Sequence, residues 1–136
     1  MSRHLILCTN NQTLVEVVTA ILDGTPRITV SDSGLQALAT LDVVDADVLV
    51  LDLETPGLNP LLLTSAIRAL APSVPILAVS ARAPEDGRTL AHKGISHLSL
   101  PADRSGWAQA MAAALERLGL SSQKARDDLP MSVGVR

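Results

Sequence analysis

Residues 48–57 read Val48-Leu49-Val50-Leu51-Asp52-Leu53-Glu54-Thr55-Pro56-Gly57. Four consecutive branched apolar residues run into a carboxylate, and a Pro-Gly turn follows. The run is short, and it reserves no position for water. Such a run is expected of a strand covered on both faces, as in a parallel sheet flanked by helices. A second run of the same kind, Ile76-Leu77-Ala78-Val79, ends on Ser80. Two such strands predict the centre of a sheet.

Outward from this centre, shorter or weaker apolar runs recur at Leu5–Cys8, Ile28–Val30 and His97–Leu100. Each run is followed by a segment of helical character. In the first, Leu14, Val17, Val18 and Ile21 fall on one stripe, Asn10 or Asn11 can cap its start, and Gly24 can close it. The second is predicted over Gly34–Leu41, after Asp32-Ser33, and the third over Leu61–Leu70, ended by Pro72 and Pro75. The fourth, over Glu85–Lys93, has the weakest pattern and ends at Gly94. The fifth, over Ser105–Leu118, carries Trp107, Met111, Leu115 and Leu118, with Gly119 as its C-cap. Strands alternating with helices predict βαβ units with right-handed crossovers. The expected architecture is one doubly wound α/β domain with a five-stranded parallel sheet, over residues 1–119. Residues 120–136 contain a polar KARDD run, Pro130 and Gly134, and are expected to form a flexible C-terminal tail.

Composition narrows the classes of function. At 136 residues and 47% hydrophobic the chain can bury a core, but it has no Phe or Tyr, so aliphatic side chains must fill it. A net charge of −3 gives no electrostatic case for nucleic-acid binding. No apolar run reaches the roughly 18 residues of a membrane span. The N-terminus lacks the pattern of a secretory signal, and Cys8 is a lone cysteine, read as a small buried apolar residue. A cytoplasmic protein is expected, with no membrane partner.

In open parallel sheets, ligands bind beyond the carboxyl ends of the strands. The predicted strands deliver to that edge Thr9, Asn10 and Asn11; Ser31 and Asp32; Asp52 and Glu54; Ser80 and Ala81; Leu100 and Pro101. No glycine-rich phosphate cradle is among them. His4, His92 and His97 lack metal-ligand spacing, and no histidine is expected at the edge to complete a catalytic triad. What remains is Asp52 with Ser80 on the neighbouring strand. Taken alone, Asp52 reads equally well as a loop residue accepting hydrogen bonds from turn amides.

The ordered set of motifs resembles the receiver domain of two-component response regulators, over about residues 3–118. LVLDLETPGLNP resembles the segment around the phospho-accepting aspartate, with Asp52 in that place and Pro56-Gly57 as the following turn. VPILAVSARA resembles the fourth strand with Ser80 at its Ser/Thr position, AHKGISHLSLP the end of the fourth helix and the fifth strand, and DSGLQAL the start of the second helix. The resemblance implies a flavodoxin-like (βα)5 fold and a cis peptide before Pro101. It also implies a phosphorylation site. In the family an acidic pair after the first strand and the acceptor aspartate hold Mg²⁺, aided by a carbonyl two residues beyond the acceptor. A hydroxyl and a lysine contact the phosphoryl oxygens. Mg²⁺ demands hard charged ligands, and the transferring group needs its charge neutralised.

Against that pattern, Thr9 and Asn10 stand at the acidic pair, Leu100 at the lysine, and His97 at the switch aromatic of the fifth strand. Only a weak Mg²⁺ site, from Asp52, Asn10 and Glu54, is conceivable, and Glu54 reads more simply as a solvated loop glutamate. His97 reads as a surface or partner-contact histidine, and Trp107 as half-buried or as an anchor for a partner. The expected function is therefore an atypical pseudo-receiver, not an enzyme and without a cofactor. It would act through contacts of its fourth helix, fifth strand and fifth helix with a histidine kinase, phosphotransfer or output protein, or through a homodimer. The alternative is a working single-domain response regulator phosphorylated on Asp52 with Mg²⁺. A small flavodoxin-like enzyme with a phosphate-bearing cofactor is a third reading, disfavoured by the first loop.

Overall fold

The computed structural model describes residues 4–22, 27–82 and 87–119. Within them, five strands alternate with five α-helices: β1 (His4–Cys8), α1 (Gln12–Leu22), β2 (Arg27–Ser31), α2 (Gly34–Val43), β3 (Val48–Asp52), α3 (Pro60–Leu70), β4 (Ile76–Ser80), α4 (Gly87–His92), β5 (Ile95–Ser99) and α5 (Trp107–Arg117). The strands form one sheet in the order β2-β1-β3-β4-β5, and every neighbouring pair is parallel. This is the doubly wound flavodoxin-like (βα)5 architecture.

Alternation along the strands feeds two separate cores. Leu5, Leu7, Val48, Val50, Leu77 and Val79 face α1 and α5, where Leu14, Val18, Met111 and Leu115 meet them. Ile6, Cys8, Leu49, Leu51, Ile76 and Ala78 face the opposite way, onto Ala37, Leu41, Leu63, Ile67 and Leu90. Both faces of β3 and β4 are thus covered, which is why those runs are apolar at every position. The edge strands β2 and β5 carry polar and partly exposed residues instead.

Several boundaries differ from the sequence expectation, each for a local reason. α3 starts at Pro60, because Asn59 accepts a hydrogen bond from the Leu62 amide and proline fits the first helical position. β5 starts at Ile95, two residues before the expected His97, because Gly94 (φ 77°) turns the chain sharply after α4 and Ile95 enters the core. The fifth helix is preceded by a separate 3₁₀ turn over Arg104–Gly106, with the Asp103 carboxylate accepting from the Ser105 amide. That bond holds the Asp103 carboxyl below its ordinary pKa. At α1 it is Asn11 that caps, accepting from the amides of Thr13 and Leu14 at 2.9 and 3.3 Å. The expected closure of α1 at Gly24, the first residues of the predicted fourth helix, and the tail over 120–136 lie outside the described residues.

Candidate functional site

The strand order places the site. The chain leaves β1 toward β2 on one side and reaches β3 on the other, so the loops at their carboxyl ends diverge and leave a crevice. Thr9, just past β1, and Asp52, the last residue of β3, stand at that crevice.

Asp52 is 6% exposed. Its Oδ2 accepts a hydrogen bond from Thr9 Oγ1 at 2.6 Å, and its Oδ1 accepts from the Glu54 amide at 3.0 Å. Thr9 is itself buried, and its oxygen accepts from the Asn11 amide at 3.0 Å. The hydroxyl has one proton, and this geometry gives it to Asp52. A buried carboxylate needs such donors to be tolerated. Asn10 is exposed at the rim of the loop.

Ser80 is also 6% exposed, and it does not turn to Asp52. Its Oγ makes a short hydrogen bond to the Arg82 carbonyl and lies 2.8 Å from His97 Nε2. A carbonyl can only accept, so the single Ser80 proton goes to Arg82. His97 Nε2 must then be the donor, which assigns the Nε2–H tautomer. Burial lowers the His97 pKa, in keeping with a neutral ring. The expectation that no histidine reaches this edge is therefore corrected, as is the reading of His97 as a surface residue: it is half-buried against Ser80. The cause is register. Ala78 pairs with His97 across β4 and β5, so His97 and Ser80 share a face on adjacent strands. The pair is no nucleophile and base, because the histidine donates to the serine and cannot take its proton.

Glu54 is exposed, yet its carboxylate is engaged: Oε2 accepts from the Ala81 amide at 2.7 Å. The plain solvated-loop reading of Glu54 is corrected accordingly. This bond ties the loop after β3 to the loop after β4. Two cavities open at the edge, and both are lined by Glu54 and Ala81. One, of 210 Å³, contains Asp52 with Asn11, Leu100, Arg104 and Trp107. The other, of 370 Å³, contains Ser80 with Leu53, Pro60 and Arg82.

Leu100 is buried in the core beside α5 and at the same time forms an apolar part of the Asp52 cavity wall. The Pro101 carbonyl accepts from Trp107 Nε1 at 2.8 Å. The Arg104 guanidinium lies 5.6 Å from the Trp107 ring centroid, and its Nη1 donates to Thr13 Oγ1 at 3.2 Å. Arg104 and Trp107 were not among the residues expected to line the site. Their position just past the fifth strand, on the turn into the last helix, was the available signal.

The donor set suits Mg²⁺ poorly. Among the described residues no group of three His, Cys, Asp or Glu side chains is gathered to hold a metal. One Asp52 oxygen takes the Thr9 proton, and one Glu54 oxygen takes the Ala81 amide. Behind the site Cys8 is fully buried, and burial, then the charges of Asp52 and Asp32, push its thiol pKa up to about 11.

A sheet of this order, with Asp52 and Ser80 at the ends of its central strands, is of the doubly wound flavodoxin-like class. The chain belongs to the response regulator receiver domain family, matching it over residues 5–98. No curated protein matches it. Among solved structures it is similar to the receiver domain of a sensor histidine kinase from Pseudomonas aeruginosa PAO1, described with a magnesium ion coordinated in its active-site cleft. That match has 26% identity, covers 88% of this chain and 99% of the other, and has a TM-score of 0.68. It is also similar to the phosphorylated cyanobacterial phytochrome response regulator RcpA, at 16% identity, with 85% and 93% of the two chains covered and a TM-score of 0.74. The CheB response regulator domain of Thermotoga maritima matches at 20% identity over 96% and 100%, with a TM-score of 0.70.

Proposed function

We propose that this chain is an atypical receiver domain that regulates by protein–protein contact, with little or no Mg²⁺-dependent phosphorylation. The observation that carries the reading is the state of its two surviving site groups. Asp52 is held by Thr9 and the Glu54 amide, and the Ser80 proton is committed to the Arg82 carbonyl. Thr9 and Asn10 in the place of the acidic pair remove two negative charges from a metal site. Leu100 in the place of the lysine removes a charge-assisted contact to a phosphoryl oxygen, a kind of bond worth roughly 1.5–3 kcal/mol. Its partners are a histidine kinase, a phosphotransfer protein or an output protein, or a second copy of the chain. The contact surface is that of α4, β5 and α5, and the setting is the cytoplasm. The domain ends near Gly119, with 120–136 as a tail.

A second reading, a working response regulator phosphorylated on Asp52, is favoured by one comparison: the Pseudomonas receiver domain, described with coordinated magnesium, is 26% identical to this chain. Incubation with Mg²⁺ and acetyl phosphate, read by intact mass, separates the two. The first reading expects no phosphoryl adduct. An adduct on the wild type that is missing from Asp52→Asn establishes the second.

A further inference from the structure

The Glu54–Ala81 bond carries an inference beyond the loss of phosphorylation chemistry, and it rests on that reading. A backbone amide facing a cleft at the sheet edge is a donor for an anion. Here the anion it meets is supplied by the chain itself: Glu54 Oε2, at 2.7 Å. The same contact is shared by the two cavities, with Asp52 on one side and Ser80 on the other. The cleft also keeps a cation. Arg104 lines the Asp52 side, where it stacks on Trp107 and uses one nitrogen for Thr13. A guanidinium has five N–H donors, so this contact leaves others available to an oxyanion.

We propose that the Glu54 carboxylate is a resident anion. It occupies the anion-accepting amide of Ala81, bridges the β3–α3 and β4–α4 loops in place of an added group, and keeps a tetrahedral oxyanion out of the space between Ala81 and Arg104. The loops are thereby tied together without any modification of Asp52. Removing the carboxylate frees the amide, joins the two cavities and opens a site for inorganic phosphate or a like oxyanion.

The test uses the ¹⁵N-labelled full chain as wild type, Glu54→Ala and Glu54→Gln. Amide exchange at Ala81 is followed first, then an inorganic phosphate titration against matched chloride. In Glu54→Ala, the Ala81 amide exchanges at least threefold faster than in wild type. Phosphate then shifts the signals of Ala81 and Arg104 saturably in the variant and leaves them unmoved in the wild type. Glu54→Gln, which keeps the shape and an acceptor oxygen but no charge, falls between the two and shows that folding is intact. Equal Ala81 exchange in all three proteins, an equal phosphate response in wild type, or a freed amide that phosphate does not shift overturns the proposal. An acetyl phosphate adduct on wild-type Asp52 is a different failure: it overturns the non-phosphorylated reading while the Ala81 amide still reports whether Glu54 is bound.

Discussion

At the scale of single residues, the site is a set of polar groups that satisfy one another. His97 is the clearest case. Long-range ¹H–¹⁵N correlation at neutral pH should find its proton on Nε2, the nitrogen that donates to Ser80. Its pKa lies below the ordinary 6.5, lowered by burial. A base with a depressed folded pKa takes up its proton more readily in the unfolded chain, so stability rises with pH across this window. The contribution is fully present above 6.5 and is lost as pH falls through the folded value. Thermal midpoints measured from pH 7.5 down to 5 should therefore decline less steeply in His97→Gln than in wild type. Cys8 gives a second residue-scale expectation. With a buried thiol whose pKa is about 11, native protein should react with a thiol reagent at pH 8 only on unfolding. Fast labelling of the native chain would contradict that placement. Neither the His97–Ser80 contact nor the Glu54–Ala81 bond was legible in the sequence. They join residues 17 and 27 positions apart, and their partners are set by strand register and loop shape, which local patterns do not encode.

At the scale of elements, the central strands and α1 were legible because one physical demand governs each. β3 and β4 must be apolar on both faces, and α1 must present one stripe. The ends were less legible where a single cap decides them. Asn59 sets the start of α3 by accepting from the Leu62 amide at 3.1 Å. Asn59→Ala should cost about 1 kcal/mol in denaturant unfolding, with Asn59→Asp nearly neutral. Ser33 does the same for α2, accepting from Gln36 N at 3.1 Å, while the Gln36 side chain accepts from the Asp32 amide. β5 was misplaced by two residues because it is an edge strand, where the apolar pattern is diluted and Gly94 alone marks the boundary.

At the scale of the molecule, the sheet separates two cores that share no side chain. Ile67 is buried in one and Leu115 in the other. Ile67→Val should cost ~1 kcal/mol, and Leu115→Ala should cost ~3 kcal/mol, in equilibrium unfolding. Because the layers do not touch, the double variant should equal the sum within about 0.5 kcal/mol. A larger discrepancy would mean that the sheet transmits strain between its faces. The surface is uneven as well. Among the described residues, the exposed large apolar side chains are Val30, Leu35, Val43, Leu62 and Leu70, all on β2, α2 and α3. Leu35 and Leu62 are 80% and 70% exposed, so replacing either by serine should change stability by less than ~0.5 kcal/mol.

The aliphatic composition has an optical consequence. Trp107 is the sole aromatic side chain, and it sits on the wall of the Asp52 cavity with its ring nitrogen bonded to Pro101 and a guanidinium over its face. All near-ultraviolet emission of this protein therefore comes from one place. Fluorescence watches the crevice and the start of α5, while far-ultraviolet dichroism watches the whole sheet and its helices. If the two signals part during unfolding, the crevice comes undone at a different point from the fold that carries it.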